Sequence, residues 1–90
     1  MINSVIIKEN DTVATTTVAL NAGDKGTYLL HGTVMEVKLL EDIPQYHKYA
    51  IVDMPRGTPV YKYGEKMGIA SKDISVGEYV HSHNVESERA

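Results

Sequence analysis

No cysteine occurs in these 90 residues, so the chain can form no disulfide, offer no thiolate nucleophile and ligate no iron–sulfur cluster. Phenylalanine and tryptophan are missing as well, and all six aromatic residues are tyrosine. The core must be built from Val, Ile, Leu and Met, with tyrosine rings partly buried and their hydroxyls seeking partners. Long apolar runs are lacking too: stretches such as Ala50-Ile51-Val52 fall far below the ~18 residues that a membrane span needs. The amino terminus, MINSVIIKEND, has neither a basic leader region nor a cleavage site, which makes the cytoplasm the expected location. Lys and Arg are scattered and the net charge is -3, so no basic face is offered to a nucleic-acid backbone.

What is present suits one small globular domain spanning residues 1–90. A hydrophobic content of 42% with 23% charged residues argues against disorder. A chain of this length buries roughly 60–65% of its unfolded surface, so a partner surface would add stability. Thr12–Leu20 is the clearest strand, rich in β-branched residues, and Ser4–Lys8 is a shorter one. Asn21–Gly26 reads as a loop. In Val34–Leu40 the residues Val34, Glu36 and Lys38 alternate with Met35, Val37 and Leu39, a period of two that fits a strand. His47–Val52 and Thr58–Tyr63 are further strands, and Lys62-Tyr63-Gly64-Glu65 predicts a hairpin turning at Gly64-Glu65, with Val60 facing Ile69 and Lys62 facing Met67. No segment holds an apolar 3.6-residue period for more than two turns, so a helical bundle is excluded.

A weak repeat punctuates the chain. Asp42-Ile43-Pro44-Gln45-Tyr46, Asp53-Met54-Pro55-Arg56-Gly57 and Asp73-Ile74-Ser75-Val76-Gly77 share an Asp, an apolar residue, two variable positions and then usually Gly. The Asp is expected to accept from backbone N–H groups one or two residues on, the apolar residue to plug the core, and Gly to take the left-handed conformation that closes the turn.

The residues able to carry chemistry are few. His81-Ser82-His83 ends a presumed strand from Glu78, which puts Tyr79, His81 and His83 on one face. Two imidazoles so placed can chelate a metal or bracket an anion, although Asn84 and Glu86 alone stand nearby to complete a ligand set; an exposed polar pair is the alternative. Lys62 sits at the rim of an apolar face, either aimed at a carboxylate or lying along the surface with its ammonium in water. His47-Lys48 is another cationic pair, and His31 reads as solvated. No nucleophile–base–orienter triad and no phosphate-cradling glycine loop can be assembled, so the chain by itself does not read as a complete enzyme.

From Glu41 to Arg89 an ordered string of matches resembles the SAF domain of the altronate and galactarate dehydratases. It comprises Asp42, Ile43, Pro44, His47, Lys48 and Ala50, then Gly57, Val60, Lys62, Tyr63, Gly64, Gly68 and Ala70, and finally Asp73, Ile74, Gly77, Val80, His81, His83 and Asn84. The resemblance implies a mostly β, β-clip-like fold of short bent strands with at most short helical turns. It also implies the role of a small subunit, inactive alone, that completes a metal-assisted hydro-lyase site on a larger partner. His81 and His83 would be catalytic or, alternatively, metal ligands, while His47, Lys48, Lys62 and Asn84 would bind a hydroxy-acid substrate. A divalent metal such as iron or manganese would be held mainly by the partner, and the isolated chain could form a homo-oligomer. Ending soon after the His-x-His-Asn block is similar to the separate small subunits of sulfolactate sulfo-lyases, the alternative activity. A carbohydrate- or partner-binding module without chemistry, and a purely structural module, are the other readings. Tyr46 stands where the family usually has Gly, predicting an altered turn and a displaced His47. Lys66 stands where Pro is frequent, and Ile69 where the sugar-acid dehydratases often carry Arg, which favours a different acid.

Overall fold

Period-two alternation organises the whole molecule. The computed structural model describes residues 2–87 and contains, among them, strands and turns but no helix. The strands are β1 (Ser4–Val5), β2 (Val13–Thr16), β3 (Lys25–Leu30), β4 (Thr33–Lys38), β5 (Lys48–Ala50), β6 (Pro59–Lys62), β7 (Glu65–Ala70), β8 (Tyr79–Val80) and β9 (Val85–Glu86). An antiparallel sheet in the order β1-β2-β5-β8 lies at the centre. Successive side chains of a strand leave on opposite faces, so this sheet feeds two cores. Val13, Ala50 and Val80 join Met54, Val60, Ala70 and Ile74 under the β6–β7 hairpin. Ala14 and Tyr49 join Tyr28, Val37, Leu39 and Ile43 under the β3–β4 hairpin, with Tyr79 against their edge. Tyr49 is wholly buried; its hydroxyl donates to Ser4 Oγ (2.8 Å), and burial pushes its pKa up to about 12.

The repeat has four copies, not three. Asn21–Asp24, Pro44–His47, Pro55–Thr58 and Ser75–Glu78 each close with the fourth N–H donating to the first carbonyl, at 2.9–3.1 Å. The third residue has positive φ in every case: Gly23 (91°), Tyr46 (67°), Gly57 (91°) and Gly77 (92°). That is the type II pattern. Tyr46 therefore keeps the turn its glycine counterparts make, and the altered turn expected there does not occur. The apolar residue ahead of each turn pairs with its counterpart, Leu20 with Ile43 and Met54 with Ile74.

The aspartates cap the facing turn instead of their own. Asp42 accepts from Ala22 N–H (2.8 Å), Asp53 from Val76 N–H (2.9 Å) and Asp73 from Arg56 N–H (2.9 Å). Each carboxylate satisfies a donor that its own tight turn cannot reach. The fourth copy escapes the sequence pattern because Ala19 holds the aspartate position.

Two equivalent units result, β2–turn–β3–β4–turn–β5 and β5–turn–β6–β7–turn–β8, with β5 common to both. Their bonds match one for one: Gly23 N–H to Leu39 O and Leu39 N–H to Asp24 O in the first, Gly57 N–H to Ala70 O and Ala70 N–H to Thr58 O in the second. Both hairpins turn through two residues of positive φ, His31-Gly32 and Tyr63-Gly64. This type I′ geometry matches the twist of the flanking strands.

Three expectations are corrected. The second hairpin turns at Tyr63-Gly64, so Lys62 pairs with Glu65 and a bulge between Val60 and Tyr61 then sets Val60 opposite Gly68. The Asn21–Gly26 loop ends early, since Lys25 and Gly26 already belong to β3, where an added Cβ on Gly26 would run into the ring of Tyr49. The strand from Glu78 lasts only through Val80; beyond it Asn84 and Val85 N–H both return to His81 O at 3.1 Å, bending the chain. Among the described residues, no helix is long and apolar enough to cross a membrane.

Candidate active site at the junction of β5 and β8

The β5–β8 register assembles the site. Lys48 pairs with Val80 and Tyr49 with Tyr79. One step further along both strands, His47 meets His81. Their rings stack at 5.3 Å between centroids, 14° from parallel. Tyr79 is the hub: its hydroxyl is hydrogen-bonded to His47 Nδ1 (2.5 Å), and its ring lies 5.6 Å from those of His47, His81 and His83. Glu41 fixes the strand end by accepting from Tyr79 N–H (3.0 Å).

Asn84 holds the bend that follows. It is buried, its Oδ1 accepts from His81 N–H (3.0 Å), and its Nδ2 donates to Tyr79 O (2.9 Å). A buried amide satisfied at both ends stiffens the segment it bridges. His81 in turn lies 3.1 Å from Ser82 Oγ through Nδ1.

Beside His81 opens a cleft of about 210 Å³, lined by Lys48, Met67, His81, Ser82, Val85 and Ser87. One wall is polar and cationic, and the other carries the edge of the core under the β6–β7 hairpin. Lys48 is half-buried; desolvation lowers its pKa below the ordinary ammonium value, and the charge of Lys62 nearby lowers it further. Two ammonium groups that repel each other across a partly desolvated space both gain from an anion between them. Lys62 does not line the cleft, and its ammonium stands 5.0 Å from the centroid of the Tyr63 ring.

His47, Lys48, His81, His83 and Asn84 are thus brought together, and Lys62 acts on Lys48 through charge. Tyr79 was legible only as the residue two before His81; its place between three imidazoles follows from strand pairing. Met67 and Ser82 gave no signal in the sequence. Among the described residues no group of three or more His, Asp or Glu is placed to hold a metal ion. The described side chains therefore do not fit a metal centre of their own.

A profile of the altronate/galactarate dehydratase SAF domain matches residues 2–88. Altronate dehydratase of Bacillus subtilis (strain 168) is 36% identical over 58 residues, covering 64% of this chain and 12% of that protein. Altronate dehydratase of Escherichia coli (strain K12) is 44% identical over 48 residues, 53% of this chain and 10% of the other. The chain therefore spans about a tenth of the length of these dehydratases. The alpha subunit of (2R)-sulfolactate sulfo-lyase from Chromohalobacter salexigens is 33% identical over 78 residues, 80% of this chain and 83% of that subunit.

Proposed function

The chain belongs to the altronate/galactarate dehydratase SAF-domain family, and from that premise we propose that it works as the small subunit of a hydroxy-acid lyase, supplying one wall of a site that a larger catalytic partner completes. The observation that carries this reading is the shared cleft: Lys48, half-buried with a lowered pKa, and His81, exposed and fixed through its backbone by Asn84, line the same 210 Å³ space.

Elimination from a hydroxy acid needs the substrate carboxylate held, a proton removed from the carbon beside it, and the leaving group protonated. Lys48, with Lys62 behind it, is suited to the carboxylate. His81 and His83 are suited to proton transfer, because both imidazoles are exposed and flank the ring of Tyr79. His47, locked by the Tyr79 hydroxyl, backs the ring of His81 and keeps it in place.

A sulfo-lyase acting on a sulfonated hydroxy acid is the second reading. It is favoured by the alignment that covers 83% of a sulfo-lyase alpha subunit, against 10–12% of the dehydratases. Both readings keep the same division of labour and differ in the leaving group.

Reconstitution with the large subunit tests the proposal. His81→Ala, titrated to saturation with partner, should lower kcat and kcat/KM together by ~100-fold or more, as expected for a lost acid–base group. Wild-type kcat at saturation would show that the ring takes no part. Turnover of altronate, galactarate or sulfolactate by the isolated chain would remove the need for a partner.

A further inference from the structure

The outer edge of β4 is open. In a hairpin closed by a two-residue turn, Leu30 with Thr33, Tyr28 with Met35 and Gly26 with Val37 exchange the ladder bonds. The backbone N–H and C=O of Val34 and Glu36 then point away from β3, and among the described residues nothing bonds to them. The side chains beside this edge are apolar and exposed: Leu29 and Val34 at 52% and Met35 at 36%. The equivalent strand of the second unit, β7, has its outer edge covered by β9, with Ile69 opposite Glu86 and Ala70 opposite Val85. The molecule thus shows what this kind of edge accepts, an antiparallel strand.

We propose that β4 pairs antiparallel with β4 of a second copy of this chain, about a two-fold axis through Met35. Four registers join the outward-pointing groups, and they differ in what faces Glu36. Val34 opposite Val34 sets it against Gly32, whose positive φ in the hairpin turn takes the backbone out of the ladder. Glu36 opposite Glu36 sets like charges together, which destabilises a ladder. Lys38 opposite Glu36 is blocked, because the backbone at Gly77 already sits against the Lys38 carbonyl, so closely that an added Cβ there would collide with it. Val34 opposite Glu36 remains. In it the two residues exchange both hydrogen bonds on each side of the axis, and Met35 meets Met35. Leu29 and Val34 of one copy continue diagonally into Val34 and Leu29 of the other, forming one apolar stripe. Glu36 stays compensated by Lys25 of its own chain, 3.4 Å away. The contact uses the same patch on both copies, so it closes at two. It lies on the β3–β4 side of the central sheet, away from the cleft beside β7 and β9, and it stands whether or not the cleft is a lyase site.

The absence of cysteine makes the test direct. In this register the Met35 residues form a non-hydrogen-bonded pair with Cα atoms about 4.5 Å apart, within disulfide range. Under mild oxidation Met35→Cys should yield a covalent dimer roughly tenfold or more faster than Lys72→Cys, an exposed site on the other unit. Adding Glu36→Pro should abolish that advantage, since it removes an outward N–H and leaves the hairpin's own ladder whole. Cross-linking of Met35→Cys no faster than the control, or undiminished by Glu36→Pro, would overturn the proposal. Either result would leave the edge to a different chain, such as the larger lyase subunit.

Discussion

The two hairpin units have the same hydrogen-bonded frame and opposite fates at their edges. In the second unit, β9 returns along β7, and the bare Cα of Gly68 lets the carbonyl of Glu86 approach where a side chain would collide. Thr12 seals the other side, donating its N–H to Tyr61 O (3.0 Å) and accepting from Tyr61 N–H on Oγ1 (2.9 Å). A cleft opens where that third strand ends. In the first unit, among the described residues, no strand pairs with the outer edge of β4, and Val34 and Met35 are left exposed. One frame therefore yields a closed unit that shapes a pocket and an open unit that presents a surface. The frame sets the turns and cores, and the strand added afterwards sets the use.

The difference can be tested from its interior outward. Tyr49 fills the core of the open unit, and Tyr49→Ala should cost about 3–5 kcal/mol, the range for truncating a large buried aromatic. Chemical denaturation would measure it. A loss near 1 kcal/mol would mean that the open unit holds together without its largest core side chain.

Asp11 ties the amino-terminal segment to the turn of the closed unit. Its Oδ2 accepts from Ile7 (3.0 Å) and Lys8 (3.2 Å) N–H, and its Oδ1 accepts from Gly64 N–H (2.6 Å). Burial pushes its pKa up, but these backbone donors, joined by Tyr63, outweigh burial and hold it below the ordinary 3.8. A carboxylate with a depressed folded pKa contributes stability above its unfolded value and loses it as pH falls through the folded one. Asp11→Ala should therefore lose about 2 kcal/mol at neutral pH, in line with hydrogen bonds to a charged group. The gap to wild type should shrink below pH 3.8. Stability curves of both proteins from pH 7 to pH 2 would decide, and a gap that widens in acid would contradict the assignment.

The smallest effect concerns Tyr46, the one non-glycine residue at the third position of the four type II turns, at φ 67° and exposed. Tyr46→Gly should stabilise the fold by about 1 kcal/mol by relieving a left-handed conformation. Lower stability would show that the exposed ring contributes contacts the turn needs.

Much of this was legible in the sequence. Three of the turns announced themselves by Asp-apolar-x-x-Gly or Tyr, and the mainly β class followed from β-branched runs and two-residue periods. The Tyr79–His81–His83 grouping also followed from spacing, although a bend at Asn84 and not a continuous strand maintains it. What stayed hidden depends on distant partners. Lys25 and Gly26 read as loop because the Tyr49 ring that lies against Gly26 is 23 positions away. The hairpin register slipped because the turn at Tyr63 is pinned by Asp11 from another part of the chain. The His47–His81 stack required knowing that β5 lies beside β8, which no local pattern encodes.

The shared strand β5 has a consequence for dynamics. It ends one unit and begins the next, so neither unit can open and leave the other whole. Partial unfolding by halves is thereby denied to this chain, and the amides of Tyr49 and Ala50 should exchange with solvent only when the entire molecule unfolds. His47 and Lys48 are attached to the start of that strand. Lys48, the cleft residue that β5 supplies, is thus anchored to the slowest-exchanging part of the protein, while the approach to the cleft is left to the exposed bend at His81–His83.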